Sequence, residues 1–395
     1  MTPETFSLPS GAWELPDELE LLRETVAQFM RNEVRPIEDR QPHDCFELPE
    51  ADLAGLQAKA RDLGLWCLSS PVAHGGGGLG LLAQVLVAEE AAKCRMGAYV
   101  PACGAFGIDP PSVIWLGNDD QIKRYGVAGI QKGKKSFVAI SEADGGADPA
   151  RSIKTRAERV GDHYVINGTK MWITAADKAD WGLVFARTGD AGDRGGISCF
   201  IVDRHMPGIS VREIPVIRSY SPFEVHFENV RVPAENRLGA EGEGFAVCQK
   251  WLVHARVPYA AAVIGIAQEA LGMATAWARQ RKSFKSALAD KQAIQWMIAD
   301  SEMELRASRL LTYQAAWRAD LGHDIKIEAS IAKVMATEAA GRVIDRCVQI
   351  FGALGVAREL PIERWYRELR IKRIGEGPSE VQRMVVARHL INEGR

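Results

Sequence analysis

Nowhere in the 395 residues do two cysteines fall at Cys-x-x-Cys spacing. The seven that occur, Cys45, Cys67, Cys94, Cys103, Cys199, Cys248 and Cys347, are scattered and odd in number. That excludes a disulfide framework and a cysteine-based zinc site, and it suits buried apolar thiols in a reducing compartment. No metal is expected. No run of eighteen apolar residues reads as a membrane span. Residues 1–9 carry neither a basic nor an apolar leader segment, so we expect a cytoplasmic protein. No block of five or six like charges appears, and the net charge is −2 with a pI near 6.5. Nucleic acid and anionic membrane therefore lack an electrostatic signature here. His254 has no acid at triad or metal spacing and reads as a surface or structural histidine. What the chain does have is length and 47% hydrophobic residues, enough for two or three domains with sizeable cores. Small-molecule chemistry is favoured.

One carboxylate stands out. Glu376 lies in the segment Arg-Ile-Gly-Glu-Gly-Pro-Ser-Glu at 373–380, and Val381, Met384, Val385 and Leu390 then recur at helical intervals. The segment reads as a helix entrance with Pro378 in its first turn. Free backbone N–H groups at such an entrance can donate to an oxyanion or a phosphate, so a base and an electrophilic stabiliser can share one turn. Read locally, a glutamate just before a helix is more commonly a solvated partner of the helix dipole.

Periodicity divides the chain into a helical domain at 1–134, a central β-domain at 135–240 and a helical bundle at 241–395. In the first, Leu21, Val26, Phe29, Val34, Leu53, Leu56 and Leu63 recur at helical spacing. The glycine run at 75–78 lacks the Lys-Ser/Thr of a P-loop and reads as a flexible loop. A further helical stretch begins at Leu81 and leads towards residue 134, with Pro101 expected to kink it. Strand signals follow at 137–140, 155–159, 163–166, 181–186, 197–202 and 224–227, punctuated by glycine, aspartate and proline. They predict a sheet of antiparallel character. Helical periodicity returns at 245–280, 289–319, 325–353 and 361–371, with a last helix after Pro378. The fold class is α+β, mostly α.

The order of motifs at these junctions resembles that of the acyl-CoA dehydrogenase family, and the resemblance spans nearly the whole chain. Ile-Ser-Glu-Ala-Asp-Gly-Gly-Ala-Asp at 140–148 is similar to the family's threonine-glutamate-proline and alanine-glycine-serine-aspartate run. Asn-Gly-Thr-Lys-Met-Trp-Ile-Thr at 167–174 is similar to its asparagine-glycine…lysine-tryptophan-isoleucine-threonine segment. Arg281-Lys-Ser-Phe with Gln292, Gln349-Ile-Phe-Gly-Ala, and Glu376-Gly-Pro-Ser-Glu with Arg388 match the later motifs.

The resemblance implies FAD-dependent removal of hydrogen from Cα and Cβ of an acyl-CoA thioester, giving the trans-2-enoyl thioester, with Glu376 as base. It places Ile140, Ser141, Trp172 and Thr174 on the isoalloxazine. Arg281, Ser283, Gln292, Gln349, Gly352 and Ala353 fall on the flavin nucleotide of a neighbouring subunit, and Pro378 and Glu380 near the diphosphate. Coenzyme A contacts are implied for Ala147, Arg256, Gly377 and Arg388. A homo-oligomer, dimer or tetramer, and electron-transfer flavoprotein as acceptor come with it. Some relatives carry their base directly before the arginine at 256, where this chain has Ala255. Glu376 needs a raised pKa for this role, and we expect desolvation by bound substrate to supply it against the helix entrance.

Departures mark where this chain differs. Ser141 keeps a hydroxyl in place of threonine, Pro378 removes a hydroxyl and an N–H, and Gly375 replaces an aromatic before the base, which predicts a wider wall. A kink at Pro101 would open the acyl-tail pocket to a polar or branched group, while Arg95 is expected at the surface. Arg256, inside an apolar helix, needs a phosphate or carboxylate partner. The same scaffold also hosts acyl-CoA oxidases and flavin monooxygenases. A nucleic-acid-binding flavoprotein would need a basic C-terminal extension.

Overall fold

The computed structural model describes residues 14–190 and 195–392. Residues 1–9, read above for leader features, lie outside them. The longer N-terminal helices are α1 (Asp17–Phe29), α2 (Glu50–Asp62) and α3 (Leu81–Ala91). Val26, Phe29, Leu56 and Ala60 of the first two meet Val87 and Ala91 of α3 in one core. The opposite face of α3, with Val85 and Leu86, joins the core of the C-terminal bundle. A helix apolar on both faces must be buried on both, and α3 thereby ties the two helical parts together.

The region 92–118 corrects the helical expectation, being a series of turns and short 3₁₀ pieces, whereas residues 119–132 are helical as expected, with a π-helical stretch at Ile122–Val127. At Gly97 a Cβ would stand 1.9 Å from the Ala92 carbonyl oxygen, so the chain folds back on itself there rather than running on as a helix. Around Pro101 the backbone is left-handed at Ala102 and Cys103, so this is a turn and not a kinked helix. Arg95 is largely buried, its Nη1 donating to the Gln41 carbonyl. The glycine run is a packed loop rather than a flexible one. Gly77 and Gly78 donate to the carbonyls of Cys67 and Ser70, and a Cβ on Gly76 would lie 2.3 Å from the Ser70 carbonyl oxygen.

The central sheet contains β1 (Ser136–Ala139), β2 (Arg156–Val160), β3 (His163–Ile173), β4 (Trp181–Arg187), β5 (Ile197–Asp203), β6 (Ile209–Glu213), β7 (Phe223–Pro233) and β8 (Arg237–Leu238). Its order is β6-β7-β3-β2-β4-β5-β8, with β1 on β4. Most pairings are antiparallel, but β1 runs parallel to β4, and β2 meets β4 in parallel at Arg156 and Arg187. Gly182 makes the first of these possible, because a Cβ there would sit 2.3 Å from the Phe137 ring. β4 is buried along its whole length: Val184 and Ala186 face one core, Trp181, Leu183 and Phe185 another. A strand covered on both sides reads as continuous rather than alternating apolar sequence. The short edge strand β6 gave no clear signal beside it.

The C-terminal helices are α4 (Gly244–Gln280), α5 (Gln292–Asp320), α6 (Lys326–Phe351), α7 (Ile362–Lys372) and α8 (Ser379–Asn392). α4 is long and apolar enough to cross a membrane by composition, yet most of its apolar stretch is buried within the protein. Small residues allow this: at Gly265 a Cβ would lie 2.0 Å from the Glu89 carbonyl oxygen, so α3 packs directly on the α4 backbone. The start of α4 lies under the sheet through Val247 and Cys248, and the α7–α8 junction lies beside it. That places the Glu376 turn where sheet and bundle meet.

Candidate active site

Between α7 and α8 the backbone turns through two left-handed residues, Glu376 at φ +57° and Gly377 at φ +93°. For a non-glycine residue this conformation costs on the order of 1–3 kcal/mol, so surrounding contacts must hold it. They do. Arg256 Nε on α4 donates to the Glu376 carbonyl at 2.9 Å, and Lys333 Nζ on α6 donates to the carbonyls of Arg373 and Gly377 at 3.0 and 2.9 Å. The Ser379 N–H returns to the Arg373 carbonyl, and Tyr259 Oη donates to that of Lys372. Gly377 at φ +93° adopts a conformation that L side chains rarely take, and a Cβ there would also meet Gln382 Nε2 at 2.4 Å, so glycine follows the carboxylate. Arg256, expected to need a phosphate or carboxylate, thus directs one donor to a main-chain carbonyl.

The Glu376 carboxylate borders the cavity, and its Oε2 is buried with no hydrogen-bond partner among the described residues. Burial raises its pKa above the ordinary carboxyl value, and the positive charges of Lys372, Arg256 and Lys333 offset only part of the rise. The protein itself therefore supplies the desolvation expected of bound substrate, and nearby cations supply the depressing effect expected of the helix entrance. Burial in turn lowers Lys333 and Lys372 to about 8 and also lowers Arg256.

Opposite this turn stands the wall built by the sheet. Ile140, Ser141, Trp172 and Thr174 line the same cavity as Glu376, whose volume of about 2660 Å³ exceeds the roughly 300–1,000 Å³ of an ordinary small-molecule site. There is room for a cofactor and a substrate side by side. Trp172, one residue before the end of β3, sits in the left-handed region at φ +65°, is 53% exposed and lines the cavity. A large aromatic face held this way, with the Thr174 hydroxyl beside it, fits a flat ring system such as a flavin. Lys170 fixes the wall from behind: fully buried, it donates to the Ile140 carbonyl at 3.0 Å and pairs with Glu142 at 2.8 Å. Glu142 also accepts the main-chain N–H groups of Lys154 and Thr155.

Ala147, Gly377 and Arg388 line the cavity with Arg256, while Pro378 and Glu380 stand just beyond its lining. Pro378 accepts from the Gln382 N–H and precedes α8 rather than lying inside it. The remaining candidates do not join this site. Arg281, Gln292, Gln349, Gly352 and Ala353 are exposed at the far end of the bundle, with Ser283 half-buried beside them. Trp277 joins the group, stacking on Phe351 and lying under Arg281. His254 is tethered to its own helix through the Lys250 carbonyl.

Lys333, Lys372, Tyr259, Arg218 and Lys170 were missed in the sequence, whereas Tyr99 lies in the stretch expected to border the acyl tail and does line the cavity. A signal for Lys372 existed, since Ile362, Trp365, Leu369 and Lys372 share one helical face and all are buried. Gly375 does not widen the wall as expected, because the Tyr259 hydroxyl stands 3.0 Å from where its Cβ would be.

The architecture of two helical parts around a sheet, with a desolvated carboxylate facing a ring-binding wall, defines a flavoenzyme scaffold. Three family models match in order: the acyl-CoA dehydrogenase N-terminal domain over residues 16–131, the middle domain over 138–230 and the C-terminal domain over 242–391. The chain belongs to the acyl-CoA dehydrogenase family, is an oxidoreductase acting on a CH–CH group, and uses FAD. It is 35% identical to (R)-benzylsuccinyl-CoA dehydrogenase of Thauera aromatica, over 97% of this chain and 98% of that one. It is also 35% identical to the mitochondrial short-chain specific acyl-CoA dehydrogenase of Bos taurus, over 97% and 92%. Butyryl-CoA dehydrogenase from Megasphaera elsdenii superposes with a TM-score of 0.84 at 30% identity, covering 96% of this chain and 100% of that one.

Proposed function

We propose that Glu376 removes the α-proton of an acyl-CoA thioester as the substrate is dehydrogenated between Cα and Cβ to the trans-2-enoyl thioester. Bound FAD supplies the acceptor for the hydride leaving Cβ. The observation that carries this reading is the unpartnered, buried Oε2 of Glu376 in the cavity lined by Ile140, Ser141, Trp172 and Thr174. A carboxylate with a raised pKa is a stronger base than one in water, and a turn held by Arg256 and Lys333 fixes where it points. Among the described residues the Glu376 N–H has no main-chain acceptor, which leaves it free to polarise a thioester carbonyl. Arg256 and Arg388 line the same cavity and offer charge for coenzyme A.

The same reading includes a cytoplasmic homo-oligomer that passes electrons to an electron-transfer flavoprotein. Trp296, Met303, Leu310 and Trp317 form an exposed stripe along α5 at intervals of seven, and Phe284 beside the Arg281 group is 94% exposed. Such surface calls for a partner, and a second copy would bring the Arg281 group towards a neighbour's nucleotide. By their names, relatives act on thioesters as different as benzylsuccinyl-CoA and butyryl-CoA, so membership alone leaves the acyl group open. The test is anaerobic titration of the FAD-loaded protein with a panel of acyl-CoA thioesters. Bleaching of the flavin by at least one is expected; no bleaching by any overturns the reading.

A further inference from the structure

Two cations line the Glu376 cavity with no salt-bridged carboxylate among the described residues. Arg218, in the connection between β6 and β7, is 7% exposed; its Nη2 donates to Thr174 Oγ1 at 3.2 Å, and its Nε is buried with no partner. Lys372, at the end of α7, is 5% exposed. Tyr99 lies between them, its ring centroid 4.3 Å from the Arg218 guanidinium carbon and 4.0 Å from Lys372 Nζ, and its hydroxyl is also buried without a partner of good geometry. The Tyr259 ring, 4.4 Å from Lys372 Nζ, closes the cluster. All four residues line the cavity with Glu376.

Among the described residues, the acids that face Lys372 are already shared with other cations. Glu376 already faces Arg256 and Lys333 as well as Lys372, and Glu368, which also faces Lys372, is paired with Arg364 at 3.0 Å. Aromatic faces soften the burial of a cation, but they do not satisfy its N–H donors. A hydrocarbon tail in this part of the cavity would seal those donors away from water unpaired, whereas a carboxylate would accept from Arg218 Nε and from the Tyr99 hydroxyl and neutralise the excess charge.

We infer that the acyl group carries a second, free carboxylate held by Arg218, Lys372 and Tyr99, so that the substrate is the monothioester of a dicarboxylic acid. The inference rests on the dehydrogenase reading above and deepens it. Rigid planar recognition suits the guanidinium of Arg218, while Lys372 adds a point charge between the carboxylate and Glu376.

The test compares the FAD-loaded enzyme on ω-carboxyacyl-CoA thioesters and on neutral acyl-CoA thioesters of matched length, following anaerobic flavin bleaching and kcat/KM. At least one carboxylated thioester should be preferred over its neutral counterpart by about a hundredfold or more, because a site built for a polar group is left unpaired by an analogue lacking it. Arg218→Gln should collapse that ratio, and Lys372→Gln should reduce it. Binding, read from the flavin spectrum in a Glu376→Gln background, should show the same preference without turnover. Neutral thioesters working as well or better, with the ratio unmoved by Arg218→Gln, would overturn the inference alone. Failure of every thioester to bleach the flavin would overturn the dehydrogenase reading beneath it. Should Arg218→Gln not fold, the wild-type ratio and the binding preference still decide.

Discussion

Arg256 holds Glu376 by its backbone, not by its charge: Nε donates to the Glu376 carbonyl at 2.9 Å, while the carboxylate oxygen Oε2 has no hydrogen-bond partner. The proposed base is thus positioned from its main chain, which leaves its side chain free to react. Arg256→Lys keeps a positive charge but loses the planar donor, so the left-handed turn should relax. A misplacement of about 1 Å can cost about 100-fold in rate. We expect kcat to fall by about that factor with FAD content unchanged, measured by steady-state kinetics and the flavin spectrum of the purified variant.

Gly375 and Tyr259 form a second coupled pair, since the Tyr259 hydroxyl stands 3.0 Å from where a Cβ at 375 would be. Gly375→Ala should therefore destabilise the protein by about 1–3 kcal/mol, the usual cost of overpacking. Adding Tyr259→Phe removes the hydroxyl and should recover part of that loss. A double-mutant cycle in denaturant gives the coupling, and simple additivity would show that the two positions do not touch.

Much of this arrangement was legible in the sequence, for reasons that are physical. The long helices carry strong periodicity, and Glu376, Trp172 and Thr174 sit in local motifs whose spacing survives folding. The helical face of α7 marks Lys372 as buried, but neither its place in the site nor that of Lys333 was legible, because each joins it through tertiary contact, one with Tyr99 and Tyr259, the other with the carbonyls of Arg373 and Gly377. The same holds for Tyr259, whose hydroxyl fills the space that Gly375 alone seemed to open. Parallel pairing of β1 with β4 depends on Phe137 covering Gly182, a contact across the chain that no strand pattern reveals.

Lys170 and Glu142 are predicted to hold the flavin wall. Lys170→Met leaves Glu142 buried beside apolar surface with only N–H donors from the main chain and releases the Ile140 carbonyl. Breaking a buried pair from one side typically costs about 3–5 kcal/mol. The variant should melt at a lower temperature and lose FAD on gel filtration, both measurable by thermal denaturation with the flavin absorbance as a second probe.

Glu376 also predicts a pH dependence. Its folded pKa is raised, so between the ordinary carboxyl value and the raised one the folded protein holds a proton that the unfolded chain has lost. Stability is therefore full below the ordinary value and falls as pH rises through that window, while base activity rises with ionisation through the raised value. Glu376→Gln should flatten this part of the stability profile, gaining on wild type at pH 8 and little at pH 4 in matched thermal melts.

The central claim is that Glu376 is the proton-abstracting base, and stopped-flow anaerobic reduction of FAD-loaded Glu376→Gln tests it most directly. With a thioester that bleaches the wild type, the variant should still bind ligand and perturb the flavin spectrum. Its reduction rate should fall by about 10³-fold or more, in line with the loss of a general base. Reduction at a rate near that of the wild type would place the base elsewhere and contradict the account.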